Sequence, residues 1–154
     1  MAAKSLTFTV TGDSESPSKL RVAVRGFSFV IDEPESFGGT DAGPNPVELV
    51  LSSLAGCMNV VVHMVAAEQD VKIRSLRLTV EGDLDPSRLM GSLMDTRAGF
   101  SAISLTAEVD SDASPEQIDE ILRIAESRCP VADSLNNPTP VTLARALALE
   151  LALA

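Results

Sequence analysis

The stretch NPVELVLSSLAGCMNVVVHMVAAE, from Asn45 to Glu68, decides the reading of the fold. Asn45 can act as N-cap, Pro46 suits the first helical position, where its missing N–H costs nothing, and Glu48 falls at N3 to complete a capping box. The apolar run from Val47 to Ala67 is long enough to consider as a membrane span, but Glu48, Ser52, Ser53, Asn59 and His63 interrupt it. It is read as a buried central helix running from about Pro46 to Glu68.

Working upstream, Leu6, Phe8 and Val10 alternate with threonines, the period of a half-buried strand. Gly12 to Lys19 is polar and reads as a turn, followed by strands at Leu20 to Val24 and Phe27 to Ile31 joined near Arg25-Gly26. Asp32 to Gly43 is rich in Pro, Gly and acidic residues without a period, an exposed loop of a length often tied to function. Downstream, Leu76, Leu78 and Val80 mark a strand over Ile73 to Glu81, ended by Gly82-Asp83. After a connection from Asp85 to Gly99, Ile103, Leu105, Ala107 and Val109 mark its hairpin partner. Ser114, Pro115 and Gln117 supply a cap, a first-turn proline and a capping-box partner for a second helix, with Ile118, Ile121, Leu122 and Ala125 on one face. Pro130 ends it at Cys129. The tail from Val141 favours helix by composition, yet Leu147, Leu149, Leu151 and Leu153 alternate, and a strand is expected. The expectation is one α/β domain of the α+β type over residues 1–154, with antiparallel sheets around a long central helix.

With 154 residues, 45% apolar, the chain can bury one core. Its 12 basic and 22 acidic residues give a formal charge of -10, which argues against nucleic acid and anionic membranes as partners. Five Phe with no Trp or Tyr leave few stacking platforms for bases. The N-terminus lacks the pattern of a signal peptide, and a cytoplasmic location is expected. Two cysteines are too few for a disulfide framework and are expected as resting thiols.

Those cysteines are the candidate chemical residues. Cys57 lies mid-helix beside the small Ala55-Gly56, and its position alone leaves open a buried structural thiol or a reactive one. Cys129 precedes Pro130, and Val131 to Leu135 can restart a short helix with Cys129 as N-cap, where backbone amides favour a thiolate. Spacing does not show whether the two sulfurs meet. His63, the only histidine, is about 240° around the helix from Cys57 and faces away. One histidine and two separated cysteines make a weak zinc site, so no metal is expected.

Two segments carry a resemblance. Gly38-Gly39-Thr40-Asp41-Ala42-Gly43-Pro44-Asn45-Pro46-Val47-Glu48-Leu49, running into Leu54-Ala55-Gly56-Cys57, and Ala125-Glu126-Ser127-Arg128-Cys129-Pro130-Val131 together resemble the osmotically inducible protein C and organic hydroperoxide resistance family. The resemblance covers about Leu20 to Val141. It implies an intertwined homodimer with its sites at the subunit interface. Cys57 would be the peroxidatic thiolate that reduces an organic hydroperoxide, and Cys129 would resolve the sulfenic acid as a disulfide. A dithiol reductant would then restore the pair, with no bound cofactor.

The chain departs from the peroxidases of that family in two places. They place a glutamate directly after the proline of the Asn-Pro pair, where this chain has Val47, and an activating arginine in an N-terminal loop, whereas Gly12 to Lys19 holds none. Glu48 is about 180° around the helix from Cys57 and fits the cap better. Arg21 and Arg25 are possible substitutes for the arginine, or solvated strand charges. The alternative function is a redox-sensing or small-ligand-binding relative with an apolar pocket near Cys57.

Overall fold

The computed structural model describes residues 5–92 and 95–145. Strands β1 (Thr11–Ser14), β2 (Leu20–Val24) and β3 (Phe27–Ile31) form one antiparallel sheet in that order. A 3-10 turn at Glu35–Phe37 leads to α1 (Pro46–Glu68). The chain then makes a second sheet from β4 (Ile73–Asp83) and β5 (Ala102–Ser111), and ends its described regular structure in α2 (Pro115–Arg128) and α3 (Pro130–Asn136).

The first strand is displaced from its expected place. Leu6, Phe8 and Val10 are 73%, 87% and 62% exposed and belong to no strand, while β1 occupies the stretch read as a turn. Thr11 pairs with Ala23 and Ser14 with Leu20, and Ser16 closes the turn by accepting the N–H groups of Ser18 and Lys19. All four β1 residues are exposed, so the strand carries no apolar alternation that could announce it.

The loop after β3 is not simply exposed. Asp32 is fully buried, and its carboxylate accepts the Thr40 hydroxyl at 2.6 Å and the N–H groups of Glu33, Thr40 and Ala42 at 3.0, 3.0 and 3.2 Å. The bond from the Thr40 hydroxyl leads in holding the Asp32 pKa down at about 2, against the upward push of burial; the three backbone bonds add to it. Two glycines permit this packing. A Cβ on Gly39 would fall 1.7 Å from the Glu33 carbonyl oxygen, and one on Gly43 would fall 2.2 Å from that of Val30.

α1 has the expected bounds and both bonds of its capping box: the Glu48 N–H donates to Asn45 Oδ1 at 2.9 Å, and the Asn45 N–H donates to Glu48 Oε2 at 2.8 Å. It is buried on one face only. Leu54, Met58, Val61, Val62, Val65 and Ala66 enter the core, while Val60 and Met64 on the opposite side are 55% and 57% exposed. The inner face meets Ile121 and Ala125 of α2 and Ala132 of α3, and α1 lies over β4. Each fully buried side chain of this size contributes roughly 1.5–3 kcal/mol.

The hairpin β4–β5 pairs Leu76 with Val109, Leu78 with Ala107 and Val80 with Leu105, placing both apolar alternations on the helix side. Gly82 and Asp83 continue β4, opposite Ile103 and Ala102, instead of ending it. Gly82 is needed there for clearance, since a Cβ would lie 2.7 Å from the Phe100 ring. In α2, Ser114 accepts the Gln117 N–H at 3.3 Å, and among the described residues Gln117 supplies only its backbone to the cap. Pro130 ends α2 at Arg128 and opens α3 at once. Residues 141–145 have no regular secondary structure, and the rest of the expected tail strand lies outside the described residues.

Candidate functional site

Cys57 projects from α1 and is half-buried; Cys129, fully buried, is both the C-cap of α2 and the N-cap of α3. The fold brings these side chains next to each other, and both are free thiols. The connection is indirect. α1 packs on α2, and the turn forced by Pro130 swings the end of α2 and the start of α3 against the middle of α1.

The first turn of α3 supplies the polar contacts. The Ala132 N–H donates to Cys129 Sγ at 3.4 Å, and the Val131 backbone amide lies near the Cys57 sulfur. Burial pushes the Cys57 thiol upward; the Val131 amide draws it down, and the neighbouring Cys129 pushes it up again, with a net upward shift. None of these influences is a cation. Arg21 is paired with Glu15 at 2.5 Å, and the Arg25 guanidinium lies 5.2 Å from the Phe27 ring centroid, so neither substitutes for an activating arginine within the chain. Glu48 is engaged in the cap, and Val47, 37% exposed, occupies the first turn of α1. His63 is exposed, with Nδ1 2.8 Å from the Asn59 carbonyl oxygen, on the side away from the core.

Three features of this region were invisible in the sequence. Val131 contributes a backbone amide, a group that every non-proline residue carries, so nothing about its side chain marks it. Arg128, beside Cys129, is bound through Nη1 to Glu68 Oε2 at 2.7 Å, joining the ends of α2 and α1. The third is a cavity of about 850 Å³ between β5 and the helices, lined in part by Leu54, Met58, Leu105 and Leu122. Neither thiol lines it, so it is not the apolar pocket expected beside Cys57. Among the described residues, no group of three or more His, Cys, Asp or Glu side chains is placed to hold a metal ion.

The sequence profile described as OsmC-like protein matches residues 39–144, which spans the glycine loop, α1 with Cys57, the hairpin and the Cys129 turn. The chain belongs to the OsmC-like family. Among solved structures this OsmC-like chain is similar to an OsmC-like protein from Mycoplasma pneumoniae, with 24% identity over 90% of this chain and 91% of that one, at a TM-score of 0.74. An organic hydroperoxide resistance protein from Elizabethkingia anophelis shares 17% identity over 90% and 93% of the two chains, at a TM-score of 0.68. A putative organic hydroperoxide resistance protein from Vibrio cholerae, with captopril in one active site, shares 18% over 89% of each, at 0.65. At these identities the likeness is one of fold. No match to the OsmC-like chain is found among curated proteins.

Proposed function

We propose that this OsmC-like protein reduces organic hydroperoxides through Cys57 and Cys129. The observation that carries the reading is the contact between two free thiols delivered by different helices. The Cys57 thiolate attacks the terminal oxygen of the hydroperoxide; the O–O bond breaks, and the departing alkoxide takes a proton to leave as the alcohol. Sulfur is oxidised to a sulfenic acid. The Cys129 sulfur then attacks the Cys57 sulfur, water leaves, and a disulfide forms. An external dithiol reduces it by exchange and becomes a disulfide itself. Such a cycle suits the reducing cytoplasm, where both thiols rest reduced.

A homodimer is part of this proposal. The outer face of α1 with Val60 and Met64, the exposed Leu6, Phe8 and Val10, and Phe27 and Phe29 at 64% and 40% exposure are apolar side chains left in solvent that a partner surface would cover. A second copy would bury the apolar side chains on the outer face of α1. Sedimentation equilibrium giving only monomer at micromolar concentration would remove the dimer from the proposal.

The thiol cycle is tested by mass spectrometry of the reduced protein after one equivalent of cumene hydroperoxide. A Cys57–Cys129 linkage formed within seconds supports it; unchanged thiols after minutes refute it. One observation favours a second reading, a slow redox sensor or ligand binder: the Cys57 thiol is pushed up and has no cationic partner among the described residues. Disulfide formation over many minutes with no sustained turnover would select that reading.

A further inference from the structure

We infer that the cavity between β5 and the helices is a binding site for an aliphatic carboxylate, held by Arg97 at its mouth. α1 lies over β4, and between β5 and the helices a space remains, which is the cavity. Its volume, about 850 Å³, lies within the range of ligand-holding cavities, roughly 300–1,000 Å³. The lining is about half polar, and its apolar part comes from four elements: Leu54 and Met58 of α1, Ile103 and Leu105 of β5, Leu122 of α2 and Leu135 of α3.

Three charged residues share the lining, and they are not equivalent. Arg123 is engaged by both carboxylate oxygens of Glu120, at 2.7 and 2.6 Å. Glu126 is an exposed carboxylate on α2, and its preference would be for a cation. Arg97, on the segment leading into β5, has neither an acidic partner nor a hydrogen bond among the described residues. An unpaired guanidinium presents a fork of donors that matches a carboxylate, at the rim of a space that takes an alkyl chain. The site goes beyond the thiol chemistry and does not depend on it, because neither sulfur reaches the lining.

The experiment is calorimetric titration of the full chain, wild type and Cys57→Ser, with decanoate, decan-1-ol and decylammonium. Binding of decanoate to both proteins, tighter than decanol and much tighter than decylammonium, is expected. Arg97→Ala should weaken decanoate by about tenfold while leaving decanol unchanged. Ala107→Leu, which fills the cavity from β5, should abolish binding of all three. A preference for decylammonium, an Arg97→Ala variant that binds decanoate as well as wild type, or no binding of decanoate to the full chain would each overturn the assignment. The last result would mean that the chain itself or a second copy occupies the space. Because Cys57→Ser is titrated in parallel, failure of the thiol cycle and failure of this site are read separately.

Discussion

Cys57 and Cys129 lie side by side although a whole hairpin and a helix separate them in the chain. Burial leads in pushing the Cys57 thiol up, and Cys129 adds to it because two thiolates side by side repel. Alkylation of Cys57 by iodoacetamide, followed peptide by peptide, should therefore accelerate only above the ordinary thiol range, about pH 8.5. Cys129→Ala removes one upward push and should shift the profile to lower pH. An unchanged profile in that variant would separate the two thiols energetically.

The carboxylate of Asp32 makes the loop before α1 sensitive to acid. Its folded pKa of about 2 is depressed from an ordinary 3.8, so its contribution is present above the unfolded value and fades as pH falls through the window between them. Asp32→Asn should lower the melting temperature at neutral pH and flatten the pH dependence between those two values. A variant that melts like wild type at pH 7 would show that the buried bonds of the loop are dispensable.

At the start of α1, Asn45→Ala should cost about 1 kcal/mol, as the loss of an N-cap usually does. Glu48→Gln should cost little, since glutamine also serves at N3. Urea unfolding of the two variants measures both. If Glu48→Gln kept its stability but lost hydroperoxide reduction, Glu48 would have a chemical role that its place in the cap does not suggest.

Ile121, 1% exposed, anchors α2 on α1. Ile121→Ala should destabilise by roughly 2–5 kcal/mol, with the loss of contacts and the remaining void adding together. Its thiols should also become more accessible in the native state, read as faster labelling of Cys129 under conditions where the variant is still folded.

The elements with a one-sided apolar period were legible: α1 from its cap and run, β4 and β5 from Leu76 to Val80 and Ile103 to Val109, α2 from Ser114 onward. β1 was misplaced because hydrogen bonding to β2, and not burial, defines it. Asp32 was hidden in a segment whose composition reads as solvent-exposed, since a buried acid is distinguished only by donors that fold onto it. The meeting of the thiols was implied by family resemblance but not by spacing, because it depends on where α2 lands after the hairpin. The outward face of α1 misled in the opposite direction: Val60 and Met64 read as core in a sequence that does not say whose core they enter.

Cys129 terminates one helix and opens the next, and its sulfur is the acceptor that fastens the Ala132 amide. A sulfur that is drawn away to bond with Cys57 must loosen its hold on that amide, so redox state becomes a mechanical variable of the corner between α2 and α3. The deuterium uptake of a single amide, at Ala132, would then act as a gauge of how tightly the corner is latched.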